Sequence, residues 1–148
     1  MIINFVKSSA MTGQPTPPPR GSALLAEAAC LGPVRIVVRN PSGFVEVFCD
    51  SDSFRLSAGW LHICKPTTHL HVRLESLTEV LLLEPSPDAH PTRPSIWLVG
   101  RCGAPCLLII LDQTEGDARR QQERAFAALR ERWGHRVPLE DRGSRLLH

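Results

Sequence analysis

The sequence predicts an α+β fold: an antiparallel β-sheet meander with a short N-terminal helix and a C-terminal helix packed on the sheet. Between residues 34 and 111, short segments alternate apolar with polar residues or run apolar throughout, as β-strands do. Turn-like stretches join these segments, which favours antiparallel pairing over crossover helices. Helical spacing of apolar residues occurs only before and after this region.

Capping residues and residue spacing define the two predicted helices. Ser22 is a favourable N-cap for a helix that extends to residue 30, and Gly32-Pro33 ends it. The longer helix covers residues 117–133 and ends at Gly134. The stripe that we expect it to lay against the sheet consists of Gln122, Ala125, Phe126, Leu129 and Trp133.

The strands lie between these helices. A turn at Asn40-Pro41-Ser42-Gly43 separates the first two, and a proline-rich loop over residues 85–94 precedes the last two. The predicted strands, in chain order, are residues 34–39, 44–49, 59–64, 69–73, 79–84, 95–100 and 106–111.

The chain of 148 residues is long enough for one domain with its own core. We expect that domain to cover residues 22–134, after a flexible proline-rich leader over residues 1–21 and before a C-terminal tail over residues 135–148.

Composition excludes several classes of function. A net charge of +2 is too small to predict nucleic-acid binding, and the basic residues of the last helix alternate with glutamates as on a solvated helix face. No stretch reaches the roughly 20 apolar residues that a membrane helix needs. Five cysteines without framework spacing favour a reducing compartment, so a cytoplasmic location is expected.

The most informative stretch is the hairpin that residues 59–73 predict. If residues 65–68 form its loop, side chains on paired positions share one side of the ribbon, because side chains alternate between faces along a strand. The predicted pairs on that side are Trp60 with Arg73, His62 with His71, and Cys64 with His69. One face of the hairpin therefore belongs to the core, and the other carries imidazole, thiol, guanidinium and indole groups.

Several interpretations of this polar face remain open. The simplest is a solvated sheet face, although histidines and a tryptophan are unusual choices for that purpose. A zinc site built from His62, Cys64, His69 and His71 has suitable donors, but the face is flat and no Cys-x-x-Cys pair supports it. A Cys64 nucleophile with a histidine base is a third alternative, for which the sequence shows no orienting group.

Haem binding accounts for more of the face. Haem needs an axial donor, apolar or aromatic walls, and a cation for its propionates. His71 or His69 could be the axial donor. Trp60 and His62 would form walls, and Arg73 or Lys65 would bind a propionate.

Four stretches of the chain resemble the bacterial haem-utilisation and haem-trafficking proteins, the HutX/ChuX-like family and its double-length HemS-like relatives. Their order and spacing carry the resemblance more than any single motif. The stretches are residues 31–40, residues 59–63, residues 69–75 with their His-x-His and Leu-His-Val-Arg, and the last strand pair followed by Ala125, Phe126 and Leu129.

This resemblance implies a homodimeric carrier that holds imported haem in the cytoplasm and passes it on, without enzymatic chemistry of its own. His69, His71 and Arg73 are the residues that match the family's pattern, with His71 as the first choice of iron ligand and His69 as the second. It also implies a protein that donates or accepts haem. The alternative is the same fold without haem, acting as a dimeric protein-interaction module, since the chain has no tyrosine to line a pocket. An enzyme that degrades haem ranks last, because no acid–base pair is evident.

Overall fold

The structure is a computed structural model that describes residues 20–88 and 92–139. The leader predicted for residues 1–21 lies outside the described residues except for its last two positions. Most of the tail predicted for residues 135–148 lies outside them as well.

Two helices and nine strands make up the described part of the chain. In chain order they are α1 (Arg20–Ala28), β1 (Pro33–Asn40), β2 (Gly43–Asp50), β3 (Phe54–Ser57), β4 (Trp60–Lys65), β5 (Thr68–Arg73), β6 (Leu77–Leu83), β7 (Ser95–Gly100), β8 (Pro105–Leu111), α2 (Gly116–Trp133) and β9 (Arg136–Pro138). All strand pairs are antiparallel. The predicted α+β class, with a short helix before the strands and a long one after, is confirmed.

The strands form two sheets. Six of them form a large sheet in the order β2-β1-β8-β7-β6-β9, and β3-β4-β5 form a separate small sheet. The meander is interrupted because β1 pairs with β8 in the middle of the large sheet. The small sheet is therefore an excursion of the chain between β2 and β6. Alternating residues reveal each strand, but they do not specify which distant strand it joins.

One hydrophobic core holds both sheets and both helices together. The inner face of the large sheet contributes Ile36 and Ile109, the small sheet contributes Leu61 and Ile63, and α2 contributes Phe126, all at most 1% exposed. Because the small sheet commits one face to this core, strand alternation directs its other face to solvent.

Two elements of the described structure extend beyond the expected domain bounds of 22 and 134. Helix α1 starts at Arg20, and β9 follows α2 and pairs with β6, burying Val137 completely. Gly134 ends α2 as expected, with φ at 83°, a backbone conformation that favours glycine. The sequence does not predict β9, because this short segment contains a single buried apolar residue. Pairing with the edge strand β6 stabilises it instead.

A buried amide ties α2 to the start of the sheet. The Gln122 side chain, 4% exposed, donates to the carbonyls of Leu31 (2.9 Å) and Pro33 (2.6 Å). Its oxygen accepts from the backbone N–H of Gln113 at 3.0 Å. The Leu31 carbonyl and the Gln113 N–H lie outside the strand ladders and depend on these bonds, whereas the Pro33 carbonyl also accepts from the Asp112 N–H at 3.1 Å.

Replacing this amide tests its structural role. Gln122→Leu should lower the free energy of unfolding by about 1–3 kcal/mol, because it leaves the Leu31 carbonyl and the Gln113 N–H without their side-chain partner. Urea denaturation followed by circular dichroism measures the change. The exposed neighbour Gln121 is the matched control, and Gln121→Leu should stay within about 0.5 kcal/mol of the parent. Equal losses in the two variants would contradict the assignment.

Candidate functional site

The structure has the hairpin register that the sequence predicts. Strands β4 and β5 pair Trp60 with Arg73, His62 with His71, and Cys64 with His69. Leu61 and Ile63 alternate to the core side and are buried. We call the outward side of the small sheet the hairpin face. The three pairs form successive layers along it, separated by about 7 Å, the length of two strand residues.

The middle layer is a direct contact between two imidazoles. Nδ1 of His62 lies 2.7 Å from Nδ1 of His71, which is hydrogen-bonding distance. The rings meet edge to face, with centroids 4.9 Å apart and planes at 73°. His71 is exposed on the edge strand β5, whereas His62 is half-buried on the central strand β4. The Nε2 atoms of both rings lie outside this contact and are available to other partners.

The next layer towards α1 combines an aromatic wall with a cation. The Arg73 guanidinium carbon lies 4.9 Å from the centre of the Trp60 ring, a cation–π geometry. Both residues line a cleft of about 440 Å³ whose other walls come from the start of α1, the β3–β4 turn and the end of β5. Glu75 lines the same cleft, and its carboxylate lies 3.4 Å from Arg73.

The outermost layer is open to solvent. Cys64 and His69 are both exposed near the hairpin loop, and the His69 and His71 rings are 6.3 Å apart. His69 is therefore close enough to His71 to be an alternative donor on the same surface. The other predicted histidine of the face, His62, lies deeper.

Lys65, a predicted propionate partner, is not on the hairpin face. It follows Cys64 on β4 and so projects to the opposite side, where its ammonium group donates a hydrogen bond to the Phe48 carbonyl of β2. Lys65 links the small sheet to the large one. Among the predicted cations, the structure brings only Arg73 to the other site residues.

Sequence analysis missed two charged residues of this region. Arg55 on β3 is the register partner of His62, and its guanidinium donates to the carbonyls of Asp52 and Phe54. Glu75 follows β5 and supplies the carboxylate of the cleft. Residues 54–57 alternate apolar with polar side chains, which is the sequence signal for β3. Four residues are too few to predict the register of a strand.

The zinc interpretation finds no support in the described residues. No group of three or more histidine, cysteine, aspartate or glutamate side chains within residues 20–88 and 92–139 is arranged to hold a metal ion. Tetrahedral zinc needs four converging donors in a closed site. Only the His62 and His71 nitrogens converge here, because the third layer lies farther along the strands.

A second surface of the molecule carries exposed aromatic side chains. It is the side of the large sheet away from the core, which we call the far face, where Val37, Leu108 and Ile110 form a small buried cluster with the half-buried Trp97. A shallow concavity of about 670 Å³ lies over it. Two aromatic side chains at its border are strongly exposed, Phe44 at 69% and Phe48 at 54%.

Arginines and a glutamate accompany these apolar groups. Arg35 and Glu46 form an ion pair of 3.5 Å across β1 and β2, and Arg39 stands beside Phe44 in the register. The Nε of Arg35 is buried without a hydrogen-bond partner in the described structure. Exposed aromatic groups with an unsatisfied polar atom beside them are typical of a surface that contacts another molecule.

The cysteines differ in accessibility, which gives a chemical test of how β2 packs against the core. Cys64 is exposed on the hairpin face, whereas Cys49 is 9% exposed on the core side of β2. Burial raises the pKa of the Cys49 thiol, and the nearby Lys65 opposes this only in part. The reactive form is the thiolate, so a raised pKa slows alkylation at a given pH.

Brief alkylation with iodoacetamide in mildly alkaline buffer should therefore modify Cys64 well before Cys49. Peptide mass spectrometry measures both sites in the same sample. In urea the two cysteines should react at similar rates, which controls for sequence effects. Equal rates in the folded protein would contradict the packing of β2 against the core.

Among the described residues, no helix is long and apolar enough to cross a membrane. No protein-family model and no curated protein sequence matches the chain.

Solved structures, in contrast, share its fold. The haem-binding protein ChuX superimposes with a TM-score of 0.58 at 20% identity, over 75% of this chain and 70% of ChuX. A protein from Agrobacterium tumefaciens gives 0.59 at 18% identity, over 76% of this chain and 66% of that one. Holo-PhuS, a haem-binding protein from Pseudomonas aeruginosa, gives 0.61 at 21% identity, over 88% of this chain and 37% of PhuS.

These similarities show that the chain has the fold of ChuX and that it spans a little over a third of PhuS. The fold expected from the resemblance of its strands is confirmed.

Proposed function

We propose that this protein binds haem on the hairpin face and serves as a cytoplasmic carrier that holds haem and passes it on. The observation that carries the proposal is the register of β4 and β5, which places imidazole donors one layer away from the Trp60–Arg73 cleft. Two proteins of the same fold, ChuX and PhuS, are haem-binding proteins. That likeness supports the choice of ligand and does not assign its site.

The donor set fits haem chemically. When bound, haem iron accepts an imidazole nitrogen as axial ligand, and the macrocycle needs apolar or aromatic contact with a cation near its propionates. His71 is the proposed ligand because it is exposed on an edge strand with its Nε2 free of the His62 contact. His69, on the same strand, is the second candidate.

Arg73 is suited to exchange its present partner for a propionate. Its side chain is 56% exposed, and its carboxylate partner Glu75 is 75% exposed. Such surface ion pairs contribute only about 0–1 kcal/mol, so breaking this one costs little. Trp60 meanwhile keeps the guanidinium in place through the cation–π contact and supplies a flat wall.

An open site agrees with a carrier role better than with an enzyme. The histidines lie on an exposed sheet face and not in an enclosed cavity, so haem would remain accessible to a donor or acceptor protein. Strands β3, β4 and β5 carry no carboxylate, and Glu75 of the adjoining cleft is engaged with Arg73. All five cysteines are free, as is usual in a reducing cytoplasm.

A second copy of the chain is the partner that we propose for the far face. A two-fold dimer sets each patch against itself, so a self-complementary patch needs both signs of charge around an apolar centre. The far face has this composition, with Arg35, Arg39 and Glu46 beside the exposed Phe44 and Phe48. Phe44 and Phe48 would be buried in such a dimer and offer the largest apolar gain.

Haem titration of single variants tests the site. Hemin added to the protein should give a saturable Soret band at one haem per chain, and apo-myoglobin as competitor measures the affinity. His71→Ala should weaken haem binding at least about 10- to 100-fold, which is the usual effect of losing only an outer-shell partner, and should shift the Soret band.

His135→Ala is the matched control, because His135 is exposed and lies beyond α2, away from the hairpin face. It should leave the affinity and the spectrum unchanged. If His71→Ala combined with His69→Ala bound haem as the parent does, the site would be elsewhere. A featureless, non-saturating rise would favour the alternative, a protein-interaction module that keeps the fold without haem. Appearance of a bile-pigment product with a reductant would replace the carrier role by haem degradation.

The dimer is tested by placing charge on the far face. Phe44→Glu combined with Phe48→Glu should convert the protein to a monomer in sedimentation velocity, since a buried unpaired carboxylate opposes association. Ala127→Glu adds the same type of charge to an exposed position of α2 and should not change the sedimentation coefficient. A parent protein that sediments as a monomer at high micromolar concentration would overturn the proposal.

A further inference from the structure

The contact between His62 and His71 has a chemical consequence for which nitrogen can bind iron. The two Nδ1 atoms are 2.7 Å apart. A neutral imidazole carries its proton on one nitrogen and a lone pair on the other. At this distance one Nδ1 must carry a proton and the other must not, because two lone pairs repel each other and two protons clash.

This single shared proton makes the two rings inequivalent. The ring that donates through Nδ1–H has a bare Nε2, which can coordinate a metal. The ring that accepts at Nδ1 keeps its proton on Nε2, which therefore cannot coordinate. Of the two rings in the pair, only one is a metal ligand in this arrangement, and the hydrogen bond selects which one.

The positions of the rings favour His71 as the ring that donates its Nδ1–H. His71 is exposed on the edge strand β5, where a planar ligand can approach its Nε2. His62 is half-buried on the central strand, between the register partners Arg55 and His71. A half-buried ring on a central strand is less accessible to a large planar ligand than an exposed ring on an edge strand.

We infer that His62 is the positioning residue of the iron ligand: its Nδ1 accepts the Nδ1–H of His71, which fixes the ring and leaves His71 Nε2 free for haem iron. This inference rests on the proposed function, because it assigns roles within the same site. It changes the part of His62 from a wall of the pocket to a partner that sets the tautomer and the basicity of the ligand.

Nuclear magnetic resonance of the haem-free protein tests the hydrogen bond without haem. In mildly alkaline buffer, long-range ¹⁵N–¹H correlations of the histidine rings should show the Nδ1–H form for His71 and the Nε2–H form for His62. The reverse assignment, or the same averaged tautomers as exposed His135, would overturn the inference.

Two substitutions at one position test the role in haem binding. His62→Asn keeps an acceptor oxygen close to the position of Nδ1, and His62→Leu removes the acceptor while keeping a similar size. His62→Leu should weaken haem binding about 10- to 100-fold, the usual effect of losing an outer-shell partner, whereas His62→Asn should stay close to the parent.

The reduction potential of bound haem gives a reading that mere packing would not change. A hydrogen bond from Nδ1–H makes the ligand more basic and stabilises ferric iron, so His62→Leu should raise the potential and His62→Asn should not. Equal affinities and potentials in parent, His62→Leu and His62→Asn would overturn the inference while leaving haem binding intact. Absence of haem binding by the parent would instead overturn the proposed function and the iron-ligand role together, and the tautomers of the haem-free protein would still decide whether the pair exists.

Discussion

The alternation of side chains in the β4–β5 hairpin is the constraint on which the rest of the site depends. Leu61 and Ile63 must enter the core, and this fixes the register and orientation of both strands. A slip by one residue would expose these buried groups and turn the histidines inward, where unpaired imidazoles are costly. Core packing thus holds the hairpin face in place from behind, although no residue on that face is itself part of the core.

This arrangement gives the small sheet a buried side and an accessible side. The six-stranded sheet, both helices and the apolar side of the small sheet share one buried cluster. The histidines lie on the opposite side of the small sheet, where His69 and His71 are exposed and His62 is half-buried. An accessible site backed by a buried core suits a ligand that is bound and later released, because burial of the ligand would slow its release.

The two candidate surfaces lie on different layers and do not compete for residues. The hairpin face uses β3, β4 and β5, and the far face uses β1, β2, β7 and β8 of the large sheet. Lys65 connects the two sheets through its bond to the Phe48 carbonyl, on the strand that carries the exposed aromatic groups. Dimerisation through the far face would leave the histidines free, so the proposed haem binding and the proposed assembly would be separable by mutation.

Local pattern in the sequence was sufficient for the hairpin. Period-two alternation with a short loop predicts both the strands and the cross-strand pairs, since neighbouring antiparallel strands are fixed by their turn. The end of α2 at Gly134 followed from chemistry of the same local kind, because glycine accepts a positive φ. For the same reason the sequence predicts the composition of the hairpin face and, with it, the candidate ligands.

Long-range contacts decided the rest. That β1 pairs with β8, that β3–β5 leave the large sheet, and that β9 extends it are choices between distant edges, which alternation does not encode. Tertiary packing also bonded Lys65 to the Phe48 carbonyl and brought Glu75 into the cleft. The sequence by itself determined which side chains share the hairpin face, because that depends on neighbours in the chain. Only the tertiary structure decided that His62 and His71 touch through Nδ1, because ring orientation depends on the packing around both strands.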